Sequence, residues 1–162
     1  MQFRAFKLCP LFFFAAVAST NAVAFEVNGF RSGMGVDSAL RLLRERWDQV
    51  SEIGSNPDGT RSFLATARDR STSEAIIFCR GQLNSYQYDV AGGFRAFVRL
   101  VQMEQATAGP GAGQALARET SVGEWSSLNF RWSQGAEHKE ISYSLVSKAQ
   151  VYVRYTFGGV CQ

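Results

Sequence analysis

The stretch "WSSLNFRWSQGAEHKEISYSLVSKAQVYVRYTF" (residues 125–157) carries the strongest structural signal in the chain. Apolar and polar residues alternate with a period of two in three of its segments, at residues 125–132, 140–147 and 151–157. Such alternation places the apolar side chains of a strand on one face, and the connections between these segments are short and polar. The stretch therefore predicts an antiparallel meander of three strands.

An earlier part of the chain predicts a second group of three strands, at residues 61–67, 74–79 and 82–90. The first two segments are short and rich in apolar residues, and "QLNSYQYDV" has the pattern of a half-buried strand. Turn signals bound the group, with "NPDG" before it and Gly92-Gly93 after it.

An amphipathic segment precedes each strand group. In "VDSALRLLRERWDQV" (36–50) the apolar residues recur at helical spacing, with charged residues on the other side. The segment "FRAFVRLVQMEQ" (94–105) repeats this pattern. The Gly/Pro-rich residues 106–113 predict a loop, followed by a helical turn at residues 114–118.

These elements predict the fold class α+β. We expect an antiparallel sheet of about six strands with two amphipathic helices on one face. The order of one helix and three strands, repeated, also fits two α-βββ halves. Identities between the halves are too few to establish a duplication.

The N-terminal residues have the layout of a secretory signal peptide. Arg4 and Lys7 precede an apolar core at residues 10–18, and the small-residue site Ala22-Val23-Ala24 follows it. A membrane-spanning helix needs roughly 20 apolar residues, so this core predicts cleavage rather than anchoring. The alternative is a buried N-terminal helix. We expect residues 1–24 to be removed and residues 25–162 to form a single domain, periplasmic or secreted.

The charge of the mature chain excludes one class of partner. The 17 basic residues less Arg4 and Lys7, against 14 acidic residues, leave a net charge of +1. Nucleic-acid binding calls for a basic stripe, which this balance does not provide. No second apolar run is long enough to predict a transmembrane segment in the mature chain.

Two cysteines, Cys79 and Cys161, remain after cleavage. An even number of cysteines in an exported chain predicts a disulfide bond between them. The alternatives are two separate thiols or a metal site. Two cysteines and one histidine far apart in sequence make a poor zinc set, so we predict no metal and no cofactor.

No sequence motif for catalysis is present. The single histidine, His138, falls in the connection predicted between two strands, and nucleophile-elbow, phosphate-loop and zinc-protease motifs are absent. An enzyme acting through carboxylates such as Glu104 or Glu124 has no sequence signature that would reveal their pairing. The sequence therefore favours a non-enzymatic protein.

Two groups of residues are candidates for binding. Arg95 and Arg99, one turn apart, have the spacing to grip an anion with two guanidinium groups. Trp125, Arg131 and Tyr152 are predicted on the open face of the final meander, and these side-chain types are enriched at protein interfaces. The alternatives are solvated arginines and aromatic residues that fill a small core.

The segment "FEVNGFRSGMGVDSALRLLRERW" (25–47) resembles the opening of the SmpA/OmlA (BamE-like) family of small exported bacterial domains. The order of helix and strands, which occurs twice along the whole chain, also resembles the tandem fold of the β-lactamase inhibitor protein. The chain departs from the lipoprotein family because no cysteine follows its apolar core before Cys79. The resemblance implies an α+β fold and a non-catalytic role, and it carries over no functional residue.

These observations lead to a functional hypothesis. We expect an exported, non-enzymatic protein that recognises a protein or an envelope component through its sheet face. The alternatives are a hydrolase acting on an envelope polymer and a purely structural envelope factor.

Overall fold

The computed structural model describes residues 25–69, 71–120, 123–145 and 149–158. Within these ranges the chain forms ten strands and two helices. The first part contains β1 (Glu26–Val27), β2 (Phe30–Arg31), α1 (Val36–Arg46), β3 (Gln49–Ser55), β4 (Thr60–Thr66), β5 (Ser73–Cys79) and β6 (Gln82–Val90). The second part contains α2 (Gly93–Ala108), β7 (Ala112–Thr120), β8 (Gly123–Gln134), β9 (Glu137–Leu145) and β10 (Ala149–Thr156).

Eight of the strands form one antiparallel sheet in the order β3-β4-β5-β6-β10-β9-β8-β7. The last strand of each group, β6 and β10, meet at its centre, where Tyr86 lies opposite Tyr155. The strands that directly follow the two helices, β3 and β7, form its two edges.

The prediction of about six strands is wrong, and so is the α-βββ grouping. Each helix is followed by four strands rather than three. The additional strands, β3 and β7, were not predicted. The first helix ends at Arg46 rather than at residue 50, since the chain is extended again from Gln49. Residues 114–118 belong to β7 and do not form a helical turn. The six strands that were predicted are present as β4, β5, β6, β8, β9 and β10.

A small hairpin, β1–β2, precedes the first helix and was also missed. Its turn residues Asn28 and Gly29 both have positive φ, 52° and 78°. An Asn-Gly pair is the preferred sequence for such a two-residue turn, so the signal was present in the sequence. The Phe30 ring lies 4.5 Å from the ring of Tyr86, centroid to centroid, which fixes the hairpin on the large sheet.

The hydrophobic core lies between the helices and one face of the large sheet. The helices contribute Ala39, Leu40, Leu43, Phe97 and Val101 to it. The buried strand residues that join them have one parity in the strand register, including Ile76, Tyr86, Val153 and Ile141. We call this the helix-covered face. Both amphipathic helices therefore pack on the same side of the sheet, as their apolar stripes require.

Neither helix in the described part of the chain combines the length and the apolar character needed to cross a membrane.

Candidate functional site

The opposite side of the large sheet, which we call the helix-free face, carries the other parity of strand residues. Its centre consists of Gln87, Glu140, Tyr152, Arg154 and Arg131. In the strand register, Arg131 lies opposite Glu140, Glu140 opposite Arg154, and Arg154 opposite Gln87. These four residues form a polar row across four strands, and we call it the charged row.

The charged row consists of two contacting pairs, and β9 and β10 bring these pairs side by side. Arg131 Nη2 lies 3.0 Å from Glu140 Oε2. Arg154 donates from both Nε and Nη2 to Gln87 Oε1, at 3.0 and 2.7 Å. The Arg131 side chain is 55% exposed, whereas that of Glu140 is 16% exposed. Arg131 therefore presents its guanidinium group to solvent over a more sheltered carboxylate.

An aromatic side chain lies beside this row. Tyr152 is opposite Asp89 on one side and Ser142 on the other. The Arg154 guanidinium carbon lies 5.5 Å from the centre of the Tyr152 ring, within the range of a cation–π contact. Asp89 accepts a hydrogen bond of 2.6 Å from the Ser73 hydroxyl. The face thus places an aromatic ring, guanidinium groups and carboxylates on adjacent strands.

Small hydroxyl side chains make the floor of the helix-free face. The buried polar side chains of the described residues are four serines, all on this face: Ser85, Ser127, Ser142 and Ser144. Ser142 lies between larger register partners, Tyr152 and Asn129. Larger side chains can therefore project from a surface whose small serine side chains are themselves buried.

The structure separates the residues that the sequence singled out for binding. Trp125, Arg131 and Tyr152 have the parity of the helix-free face, with Trp125 six residues from Arg131 along β8. Arg95 and Arg99 are exposed on α2, which packs on the other side of the sheet. They are not part of the same surface.

The sequence did not single out Gln87, Glu140 and Arg154. Glu140 and Arg154 share the parity of Arg131 and Tyr152, so strand alternation contained the signal for them. Gln87 joins the row because β6 pairs with β10, and no local pattern encodes that pairing.

The carboxylate proposed for an enzyme, Glu104, has a cationic partner. Glu104 of α2 forms an ion pair with Lys139 of β9 on the helix-covered face, and both side chains are largely buried. Lys139 Nζ also lies 5.5 Å from the centre of the Tyr155 ring. Burial raises the pKa of the neighbouring Tyr88 to about 12 and also raises that of Tyr155. This cluster ties α2 to the sheet.

The Glu124 side chain lies outside the part of the chain described in atomic detail.

His138 lies within β9, opposite Ser133 and Thr156, and not in the predicted connection. Its Nδ1 atom is 3.0 Å from the Ser133 hydroxyl oxygen. Across the described residues, no three His, Cys, Asp or Glu side chains are grouped to hold a metal ion. His138 is a strand residue of the helix-free face with a hydroxyl neighbour.

A shallow cavity of about 340 Å³ lies beside β7, β8 and β9. Its lining is mainly apolar and small, and includes Ala115, Ala117, Leu128 and Leu145. Tyr143 is the single titratable side chain among its lining residues. The cavity therefore lacks the converging acid and base groups of a catalytic cleft.

The remaining predicted site residues are in part outside the described residues. Cys79 ends β5 and is 4% exposed. Its predicted partner Cys161 and the predicted cleavage residues Ala22 and Ala24 lie outside the described ranges.

No protein-family model matches the chain, and neither a curated protein nor a solved structure shows significant similarity to it. The resemblance to BamE-like domains and to the β-lactamase inhibitor protein stays a prediction.

Proposed function

We propose that this chain is an exported, non-enzymatic binding protein, periplasmic or secreted, which recognises a protein or an envelope component through the helix-free face. The observation that carries the proposal is the charged row next to Tyr152. The four strands that carry the row, β6, β10, β9 and β8, each pair with a neighbouring strand on both sides. The row therefore rests on a rigid support. Preformed surfaces lose less entropy on binding than mobile ones.

The chemistry of this face supports recognition of a polar partner surface. Tyr and Arg are enriched among the residues that dominate binding energy at protein interfaces. Arg131 extends into solvent. Positive and negative side chains alternate along the charged row, and a partner with the opposite pattern of charges can complement them.

The surroundings of Glu104 support a non-enzymatic role. Its carboxylate is paired with Lys139 of β9. Retaining and inverting glycosidases require two carboxyl groups facing each other across the substrate.

A disulfide between Cys79 and Cys161 is part of the proposal and fits an oxidising compartment. The Phe157 amide donates to the Asn84 carbonyl at 2.7 Å, which places the end of the described chain beside β6. Gln82, two residues before Asn84, is the register partner of Cys79. Cys161 follows Phe157 by four residues, which extend at most about 14 Å, and this reach supports a bridge from Cys161 back to Cys79.

The proposal is tested by affinity capture from an envelope extract with purified mature protein as bait. The Arg131→Ala/Tyr152→Ala double variant removes the projecting side chains of the helix-free face, and we expect it to lose the captured component. The matched variant Arg95→Ala/Arg99→Ala removes two arginines from α2 and should retain it. Loss with the second variant alone would assign recognition to α2, and repeated failure of the unmodified protein to capture anything would overturn the proposal.

A further inference from the structure

The first described residue, Phe25, is held by a carboxylate through its main-chain nitrogen. Phe25 N lies 2.5 Å from Glu137 Oε2, although the two residues are 112 positions apart. Glu137 is the first residue of β9, and the contact is partly buried. A carboxylate so placed matches a positive charge better than a neutral amide, because charge-assisted hydrogen bonds are about twice as strong.

The side chain of Phe25 is also fixed. Its ring meets the ring of Tyr155 edge-on, with centroids 5.6 Å apart and an interplanar angle of 71°. The residues that follow enter the β1–β2 hairpin, where the Asn28 side-chain amide donates to the Tyr86 hydroxyl at 2.8 Å. Chain ends usually fray unless such contacts tie them down. Phe25, the residue that the predicted cleavage would make N-terminal, is therefore tied to the fold through both its main chain and its side chain.

We infer that Glu137 is the binding site for the new N-terminus of the processed protein. The inference rests on the predicted cleavage after Ala24, and so on the export that the proposed function includes, but not on recognition through the helix-free face. The signal peptidase would hydrolyse the bond between the Ala24 carbonyl carbon and the Phe25 nitrogen. Water adds across that bond, leaving an Ala24 carboxylate and a Phe25 ammonium group. One neutral N–H donor at Glu137 becomes a cation with three donors.

Replacing the Phe25 amide by an ammonium group at Glu137 makes the processed chain more stable than its precursor. The partly buried position of the contact limits solvent screening, so the ammonium–carboxylate pair contributes more than an exposed surface pair would. Phe25 leads directly into the β1–β2 hairpin, and two further contacts, Phe25 with Tyr155 and Asn28 with Tyr86, attach this segment to the sheet. Cleavage thus strengthens the fold at the moment when the chain is released from the membrane.

A thermal unfolding cycle tests the site. Glu137→Gln is compared in the exported, processed protein and in a full-length precursor whose cleavage is blocked by Ala24→Tyr, both in the same detergent buffer. We expect a loss of several degrees in Tm for the processed protein and a smaller loss for the precursor. Equal losses would overturn the inference, as would N-terminal sequencing that finds a first residue other than Phe25.

A second measurement covers the case in which Glu137→Gln does not fold. In the unmodified processed protein, an amine-reactive ester at pH 7 should acylate the Phe25 α-amine about tenfold more slowly in the folded state than in urea. A neighbouring carboxylate favours the protonated, unreactive amine. Equal rates in the two states would show that Glu137 does not bind the terminus.

Discussion

Arg154 and Gln87 join the two halves of the sheet on its helix-free face. Both Nε and Nη2 of Arg154 donate to the single Oε1 atom of Gln87, across the boundary between β10 and β6. The two residues are 67 positions apart in sequence. The contact therefore links a candidate recognition surface to the central strand pair on which the whole sheet depends.

Arg154→Ala should lower the free energy of unfolding by about 1–3 kcal/mol, because hydrogen bonds to a charged group contribute about 1.5–3 kcal/mol. The measurement is urea denaturation of the mature protein. Arg95→Ala is the matched control, since Arg95 is exposed on α2, and it should change stability by less than about 0.5 kcal/mol. Equal effects of the two substitutions would show that the Arg154–Gln87 contact does not stabilise the central pair.

The attachment of α2 to the sheet depends on Phe97. Its side chain is 3% exposed and its ring lies 6.1 Å from that of Phe130 and 5.9 Å from that of Tyr143. Phe97→Ala should cost about 3–5 kcal/mol through lost burial and an unfilled cavity. Phe94 on the same helix is 51% exposed, so Phe94→Ala should cost clearly less. Chemical denaturation of both variants checks the prediction, and a larger loss for Phe94→Ala would contradict this packing.

The tyrosines under the helices predict an alkaline limit to stability. Burial raises the pKa of Tyr88 to about 12, whereas an unfolded tyrosine titrates near 10. The folded state therefore favours the neutral phenol. This contribution is complete below about pH 10 and is lost as the pH rises towards about 12. Unfolding free energies measured between pH 9 and 12 should fall across this window, and Tyr88→Phe should make the fall shallower. An unchanged slope in the variant would count against a buried Tyr88.

The six strands that the sequence predicts lie inside the sheet, with neighbours on both sides. Their apolar alternation is clear because one face of each strand packs against the helices. The two strands of this sheet that it misses, β3 and β7, are the edges. In β3 the apolar residue Ile53 is 59% exposed, and in β7 the residues are small or favour helices, as in "AGQALARET". An edge strand buries less, so its sequence needs less alternation.

The candidate site was predictable to the extent that it depends on strand alternation. Parity alone places Arg131 and Tyr152 on one face. The position of Gln87 opposite Arg154 depends on the pairing of β6 with β10, which is a property of the tertiary fold. Arg95 and Arg99 lie on the other side of the sheet because α2 packs on the helix-covered face.

The predicted disulfide gives a further test. Cys79→Ala and Cys161→Ala should each lower stability by about 2–5 kcal/mol, since either substitution opens the same large loop. The double variant should lose about as much as the larger of the two single variants. Exported protein should show no alkylatable thiol by non-reducing mass spectrometry. Two reactive thiols in folded protein, or additive losses in the double variant, would refute the bridge.

Site-directed photo-crosslinking in whole cells tests the central claim, recognition through the helix-free face, most directly. A photoreactive amino acid replaces Tyr152 on the helix-free face or, as the matched control, Arg99 on α2. We expect a discrete crosslinked product from position 152 that disappears when Arg131 is replaced by Ala, and none from position 99. A product from position 99 with none from position 152 would contradict it.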